Sequence, residues 1–101
     1  MIYKLEVPEL AEDVQEVRVL EWHGNVGTMF EVGDMIVELE THKAIVEIRA
    51  GQPGFFRKIE VPAGEWCKTG VPLGLCSDAA DEALPAEAGG AVNMLVRFEI
   101  A

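Results

Sequence analysis

Two segments of the chain repeat the same pattern of glycine and apolar residues, and this repeat strongly constrains the fold. Residues 27–36 read Gly-Thr-Met-Phe-Glu-Val-Gly-Asp-Met-Ile, and residues 64–73 read Gly-Glu-Trp-Cys-Lys-Thr-Gly-Val-Pro-Leu, an offset of 37 positions. In both segments a second glycine follows the first by six positions, and an apolar residue comes three positions later. In a chain of 101 residues, this repeat predicts two similar halves of one core, each too small to bury its apolar face alone.

Apolar and polar residues alternate on both sides of the short polar run at residues 41–43. Residues 37–40 read Val-Glu-Leu-Glu, and residues 44–49 read Ala-Ile-Val-Glu-Ile-Arg. A period of two is typical of half-buried strands, so these segments predict two strands joined by a tight hairpin turn. Lys43 is expected at the tip of that turn with its amine in water, at the junction between the two halves. The hairpin alone favours an ordinary solvated turn lysine, and the spacing of the flanking glycines is what points to a special role.

Further strands are predicted elsewhere, at Ile2 to Val7, Glu16 to Trp22 and Phe55 to Val61. Gly27 lies sixteen residues before Lys43 and Gly54 eleven residues after it. Each of these glycines is close to a predicted strand, where a residue without Cβ eases a turn. The pattern as a whole predicts an all-β domain.

The residues around Lys43 carry a resemblance to a known family. Glu40, Thr41, Lys43 and Ala44 match the Glu-Thr-Asp-Lys-Ala signature that is usual in lipoyl domains of 2-oxo acid dehydrogenase complexes, as in their acyltransferase component. The chain resembles these domains over residues 1–77. The resemblance implies a flattened barrel or sandwich of two four-stranded antiparallel sheets with quasi-twofold symmetry, a barrel-sandwich hybrid. It also implies lipoate in amide linkage on Lys43, with Glu40, Thr41, His42 and Ala44 as flanking recognition residues.

Two positions depart from the family pattern. His42 stands where the family most often has aspartate, immediately before the lysine. Ala11 stands where lipoyl domains commonly have glycine, in the loop between the first two strands. In the family that loop lies near the lipoyl lysine and helps a partner decarboxylase to choose its carrier, so the substitution bears on partner choice.

The resemblance implies a non-catalytic carrier that acts as a swinging arm. A lipoate ligase or a lipoyl or octanoyl transferase would attach the cofactor to Lys43. A thiamine-diphosphate 2-oxo acid decarboxylase would load the arm, an acyltransferase would unload it, and a dihydrolipoyl dehydrogenase would reoxidise it. A glycine-cleavage-type cycle would carry an aminomethyl group instead.

Two other functions remain open at this point. A biotinyl carrier domain shares the implied fold but normally has methionine on both sides of its lysine, where this chain has His42 and Ala44. An unmodified hammerhead module would use the same fold only for binding or structure. The mass added to the chain distinguishes lipoate, octanoate, biotin and no modification.

The charge of the chain argues against polyanionic partners. Its 18 acidic and 8 basic side chains give a formal net charge of −10, which disfavours nucleic acid and anionic membranes and favours a partner with a basic face. No stretch approaches the roughly 20 apolar residues of a membrane span, and the N-terminus lacks the features of a signal peptide. We therefore expect a cytoplasmic location.

The cysteines and histidines show no pattern of a metal site. Cys67 and Cys76 do not form a Cys-x-x-Cys pair, and His23 and His42 have no metal-ligand spacing with them. We expect both cysteines to be reduced and to fill apolar space. No metal and no catalytic residues are predicted.

Composition changes after Ser77. Residues 78–91 are rich in alanine, acidic residues, proline and glycine, and are predicted to form a flexible linker after the carrier domain at 1–77. Residues 92–101 then carry five apolar residues at period two, which predicts a C-terminal strand. This strand could extend its own domain at an edge, or it could add to a second copy or a partner.

Overall fold

Every regular element of the described chain is a β-strand. The computed structural model describes residues 1–7, 15–85 and 91–100, and these residues include no helix that could span a membrane. The loop that contains Ala11 lies outside the described residues. The strands are Ile2–Glu6 (β1), Glu16–Trp22 (β2), Met29–Phe30 (β3), Met35–Glu40 (β4), Ile45–Ala50 (β5), Gly54–Ile59 (β6), Trp66–Lys68 (β7), Pro72–Ser77 (β8), Val92–Asn93 (β9) and Val96–Ile100 (β10).

The strands form two sheets that pack face to face. Sheet A has the order β3-β6-β8-β1-β9, and sheet B has the order β10-β5-β4-β2-β7. All neighbours are antiparallel except β1 and β9, which run parallel. The molecule measures 38 × 26 × 21 Å, so the predicted flattened all-β sandwich is confirmed.

The sheets differ from the expectation in one respect, because each has five strands rather than four. The C-terminal segment forms two strands, with β9 on sheet A and β10 on sheet B. Met94, which is 6 % exposed, lies at the crossing between the sheets and donates its N–H to the carbonyl of Lys4 at 2.9 Å. The segment thereby pairs with the open edges of β1 and β5, whose backbone groups would otherwise face solvent.

Reciprocal hydrogen bonds join the two halves of the repeat. Gly27 donates its N–H to the carbonyl of Phe56 at 2.7 Å, and Gly64 donates to the carbonyl of Val19, also at 2.7 Å. Phe56 and Val19 donate in return to the residues that follow these glycines, at 2.9 and 3.0 Å. Phe56 lies 37 positions after Val19, and Gly64 lies 37 positions after Gly27. The hydrogen bonds of the two halves are therefore related by the same offset as the repeated sequences. The predicted quasi-twofold symmetry is therefore present in the backbone.

The glycines of the repeat share one backbone conformation. Gly27, Gly33, Gly64 and Gly70 have φ values of +96°, +92°, +93° and +88°, and no described non-glycine residue has a positive φ. The left-handed region brings Cβ close to the following carbonyl oxygen, so glycine is the residue that adopts it at low cost. The repeat is thus a repeat of turn geometry.

Gly54 has a different role from that of Gly27. Its φ is not positive, but a Cβ at this position would lie 2.9 Å from the carbonyl oxygen of Ser77 and 3.1 Å from the ring of Phe30. Glycine therefore allows β6 to approach β8 closely, with the Phe30 ring packed against the same point.

The core lies between the two sheets and consists of aliphatic and aromatic side chains. Among the described residues it includes Leu5, Val7, Val17, Val19, Phe30, Ile36, Val37, Leu39, Val46, Ile48, Ala50, Phe56, Val61, Leu73, Cys76 and Met94. Both cysteines are unpaired, as expected. Burial raises the pKa of the Cys76 thiol to about 12 and raises that of the half-buried Cys67 as well.

The first part of the predicted linker contacts the domain. Arg57 donates its guanidinium N–H groups to the carbonyls of Ala79 at 3.0 Å and Glu82 at 2.6 Å. The amine of Met1 contacts the carboxylates of Asp78 and Glu82 at 2.7 and 2.6 Å. Residues 86–90 lie outside the described part of the chain, and the division into 1–77, 78–91 and 92–101 stays a prediction.

The two roles of glycine make different predictions for substitution. Gly27→Ala should lower the unfolding free energy by about 1 kcal/mol, and Gly27→Asn by less, because asparagine tolerates the left-handed backbone. Gly54→Ala should lower it by about 2 kcal/mol through crowding, and Gly54→Asn by more. Urea unfolding of the four variants measures these changes in unfolding free energy. If Gly27→Asn lost more unfolding free energy than Gly27→Ala, the left-handed backbone assigned to Gly27 would be contradicted.

The buried thiol predicts selective alkylation. At pH 8, Cys76 in the folded protein should react with iodoacetamide about a thousandfold more slowly than an ordinary thiol, because the thiolate is the reactive form. Cys67 should react at an intermediate rate. Peptide mass spectrometry after timed labelling measures both rates, with urea-unfolded protein as the control. Equal labelling of the two cysteines in the folded protein would show that Cys76 is not buried.

Candidate functional site

The turn between β4 and β5 presents Lys43 at one end of the sandwich. Glu40 and Ile45 are the last opposed pair of the two strands, so residues 41–44 form the turn. Leu39 and Val46 lie opposite each other just below it and are fully buried or nearly so. The side chain of Lys43 is exposed. The hairpin expected from the sequence therefore exists, with its base fixed in the core.

The hydroxyl group of Thr41 closes the turn. It accepts hydrogen bonds from the N–H groups of Lys43 at 3.1 Å and Ala44 at 3.0 Å, and it donates to the carbonyl of Ala44 at 3.1 Å. The backbone N–H of Thr41 donates to the same carbonyl at 2.8 Å. With an exposed fraction of 8 %, Thr41 is one of the few buried polar residues. Its side chain fixes the peptide groups on both sides of Lys43.

Glu40 faces Arg18 across the strand pair. The two residues are opposite in the register of β2 and β4, and Arg18 Nη2 lies 3.2 Å from Glu40 Oε1. Both side chains are more than a third exposed, so the ion pair contributes little to stability. Its effect is to hold the carboxylate beside Arg18 on the outer face of sheet B.

An aromatic stack joins the turn to the other half of the molecule. The rings of His42 and Trp66 lie 5.2 Å apart between centroids and 21° from parallel. Trp66 is in β7, opposite Arg18 of β2, and it is 44 % exposed. The sequence analysis did not identify this contact. The contact depends on β2 lying between β4 and β7, which no local pattern in the sequence reveals.

The arrangement suits attachment of an acid to the amine of Lys43. Amide formation needs an accessible primary amine, and a carrier further needs that amine on backbone that does not move with its cargo. Lys43 meets both conditions, because its side chain is exposed and its peptide groups are held by Thr41. The residues present therefore fit a covalently attached carboxylic acid cofactor.

One group of possible metal ligands occurs in the described residues, on the outer face of sheet B. Oxygen and nitrogen atoms of Glu21, His23 and Glu38 lie within 4.8 Å of one another. His23 Nε2 is 2.7 Å from Glu38 Oε1 and 3.4 Å from Glu21 Oε2. The hydrogen bond and the ion pair account for this grouping. The sequence missed it because the two glutamates meet only through the register of β2 and β4.

Comparison with known proteins identifies the family. Residues 3–75 match the biotin/lipoyl family described as "Biotin-requiring enzyme". The chain belongs to this biotin/lipoyl family. The match covers both halves of the repeat and the whole Lys43 hairpin. Together with the relatives described next, the match confirms the predicted resemblance to a lipoyl domain, which is a carrier domain and not itself a catalyst.

Three of the relatives are components of the same kind of complex. The chain is 33 % identical over 79 residues to the dihydrolipoyllysine-residue succinyltransferase component of the 2-oxoglutarate dehydrogenase complex of Bacillus subtilis (strain 168), covering 78 % of this chain and 19 % of that protein. The protein of the same name from Staphylococcus saprophyticus is 31 % identical over 77 residues, 76 % of this chain and 18 % of that protein. The one from Staphylococcus aureus (strain USA300) is 45 % identical over 51 residues, 50 % of this chain and 12 % of that protein. The chain spans at most about a fifth of the length of these relatives.

The role of Thr41 can be tested at the turn itself. Thr41→Ala should lower the unfolding free energy by about 1 kcal/mol and speed amide exchange of Lys43 and Ala44, because both N–H groups lose their acceptor. Thr41→Ser keeps the oxygen and should leave exchange within about twofold of the wild type. Hydrogen exchange followed by NMR measures this. Equal exchange in the alanine and serine variants would show that the hydroxyl does not hold the turn.

Proposed function

We propose that this chain is a lipoyl carrier domain, with lipoate in amide linkage on Lys43. The observation that carries the proposal is the exposed side chain of Lys43 on a turn closed by the Thr41 hydroxyl. The flanking sequence Glu40-Thr41 and Ala44 is the one that lipoyl domains use around their lysine. The domain would act as a swinging arm that moves acyl groups and electrons between the active sites of a 2-oxo acid dehydrogenase-type complex.

Two observations favour lipoate over biotin. Neither neighbour of Lys43 is methionine, which biotinyl domains normally have on both sides of the lysine. The relatives named above are dihydrolipoyllysine-residue succinyltransferases, whose names state the modified residue. The family as a whole includes biotin carriers, so the choice between the two cofactors is part of the proposal.

The chain's own part in the function is presentation of the amine. The buried pair of Leu39 and Val46 anchors the hairpin, and the Thr41 hydroxyl fixes the turn above it. A ligase that activates the lipoate carboxylate with ATP leaves the Lys43 amine to attack the acyl group, with loss of AMP and a proton. Once bound, lipoate supplies a dithiolane that accepts acyl groups and electrons.

The rigid tip and the flexible arm have separate effects on transfer. A tethered group stays at high effective concentration near each active site without tight docking of the domain. Beside the amine, the His42–Trp66 stack offers an aromatic surface to a docking enzyme. Acylation also removes the positive charge of Lys43 from a chain whose net charge is already −10. A docking enzyme with a basic face would be complementary to this charge.

The proposed partners follow from this role. A lipoate ligase or a lipoyl or octanoyl transferase would load Lys43. A thiamine-diphosphate 2-oxo acid decarboxylase, an acyltransferase and a dihydrolipoyl dehydrogenase would then use the arm in turn. The names of the relatives support a 2-oxo acid complex, and the chain matches about a fifth of their length, in the region of the carrier. A cytoplasmic location belongs to the same proposal.

The experiment is a modification assay on the purified chain. Incubation with lipoate ligase, ATP and lipoate should add one lipoyl-sized mass increment, confined by peptide mapping to Lys43. Lys43→Arg keeps the charge and should abolish the increment without unfolding the protein, whereas Lys58→Arg, on an exposed position of sheet A, should be modified like the wild type.

Parallel incubation with biotin ligase, ATP and biotin separates the alternatives. A biotin increment in place of the lipoyl increment would make the chain a biotinyl carrier. No increment from either ligase, on a protein that unfolds cooperatively, would overturn the proposal in favour of an unmodified binding or structural module.

A further inference from the structure

The C-terminal strand β10 is an edge of sheet B with one neighbour, β5. Along such an edge, every second residue directs its N–H and C=O groups away from the sheet. Strands at exposed edges are the sites at which another chain can add by backbone hydrogen bonding. The sequence left open whether this segment pairs within its own domain, with another copy or with a partner. In residues 1–7, 15–85 and 91–100, pairing with β5 leaves the other side of β10 without a neighbouring strand.

The inner face of β10 carries apolar side chains that its own chain covers only in part. Phe98 and Ile100 lie opposite Ile48 and Val46, both of which are buried core residues of β5. Phe98 is nevertheless 43 % exposed and Ile100 is 69 % exposed. The apolar face of sheet B thus continues past β5 to the open edge, where its burial is incomplete.

The charged residues of β10 are mismatched with β5. Arg97 lies opposite Arg49, and Glu99 lies opposite Glu47. Like charges directly across a strand pair are destabilising. Arg49 offsets part of this through contacts with Glu47 at 3.4 Å and Glu99 at 4.0 Å, whereas Arg97 makes no salt bridge within the described parts of the chain. The open side of β10 is therefore the side on which its charges can still be complemented.

We propose that β10 pairs antiparallel with β10 of a second copy of this chain, about a twofold axis at Phe98. Residues 96–100 read Val-Arg-Phe-Glu-Ile, which is self-complementary in this register. Phe98 faces Phe98 of the second copy, and Val96 faces its Ile100 on the same inner face. Arg97 faces Glu99 of the second copy on the outer face, and this charge pair occurs twice because the interface is isologous.

The charges select this register over its neighbours. Slipping the pair by two residues in one direction places Arg97 opposite Arg97 of the second copy, and slipping it in the other direction places Glu99 opposite Glu99. A slip of one residue sets the apolar face of one strand beside the charged face of the other. A second copy therefore fits this edge in one register.

The dimer would have a continuous ten-stranded sheet with the two Lys43 turns at opposite ends. The Ile100 end of β10 lies beside Val46, close to the Lys43 turn, and the antiparallel pair reverses this direction in the second copy. At about 3.3 Å per residue, the two turns would be separated by about 30 Å along the strands. Neither turn would be covered by the interface, so pairing does not depend on modification of Lys43.

The test is sedimentation velocity of the full chain at low ionic strength, between about 10 µM and about 1 mM, the range in which a small interface associates. The wild type should sediment increasingly as a dimer as concentration rises. Arg97→Glu and Glu99→Arg each replace two attractive pairs with two repulsive ones, and each should raise the dimer dissociation constant about tenfold or more. The double variant R97E/E99R restores both pairs and should recover dimerisation.

Mixing the two single variants tests the register directly. The Arg97→Glu variant has acidic side chains at both charged positions of β10, and the Glu99→Arg variant has basic side chains at both. An equimolar mixture should therefore form a heterodimer that is tighter than the homodimer of either variant alone. Lys58→Glu is the matched control, because it changes the net charge by the same amount as Arg97→Glu on an exposed position of sheet A. It should dimerise like the wild type.

Several results would overturn the proposal. These are a wild type that stays monomeric throughout, single variants that dimerise like the wild type, or a mixture that forms no heterodimer. If Lys58→Glu weakened dimerisation as much as Arg97→Glu, the effect would be due to net charge and not to the β10 edge. Circular dichroism of each variant establishes that it is folded before it is compared.

Discussion

The reciprocal hydrogen bonds between the halves of the repeat are the constraint on which the rest of this structure depends. Gly27 reaches the carbonyl of Phe56, and Gly64 reaches that of Val19, so each half supplies the turn that closes against a strand of the other. Each half depends on the other for these hydrogen bonds, and the backbone groups of Phe56 and Val19 lie in the core, where unpaired polar groups are costly. The two halves of the repeat therefore stabilise each other. The Lys43 hairpin gains its firm base from this closure, because β4 lies between β5 and β2 in the middle of sheet B.

What the sequence predicted well was encoded locally. Period-two patterning gave the strands on both sides of Lys43, and the spacing of the repeated glycines gave the symmetry, because turn geometry depends on residues a few positions apart. What the sequence missed depends on which strands become neighbours. The stack of His42 on Trp66 and the ion pair of Arg18 with Glu40 both require β2 to lie between β4 and β7. The division of the C-terminal segment between two sheets also depends on which strands become neighbours, so the sequence did not predict it.

Neighbouring residues of the Glu-Thr-His-Lys-Ala motif have different structural roles. Thr41 is buried and holds the turn, Glu40 is directed along the outer face by Arg18, and His42 contacts the second half of the chain. Lys43 carries a primary amine on an exposed side chain, and Ala44 supplies the carbonyl that closes the turn. A modifying enzyme that recognises this turn therefore recognises a shape maintained by Thr41 and Ala44. The side chain of His42 takes no part in the hydrogen bonds that close this turn, so the turn does not depend on the residue type at position 42.

β5 connects the two surfaces for which a role is proposed. It begins at the Lys43 turn and pairs along its length with β10, so β10 protects one side of the hairpin from becoming a sheet edge. The register of these strand pairs also creates a row of glutamates across the outer face of sheet B. Each glutamate lies opposite the next one in the row, which consists of Glu21, Glu38, Glu47 and Glu99. Apolar pairing on the inner face must outweigh the repulsion along this row, which only His23 and Arg49 relieve among the described contacts. A strand added from a second copy would bring its Arg97 opposite Glu99. This arginine would offset the negative charge at the end of the row, as His23 and Arg49 do within it.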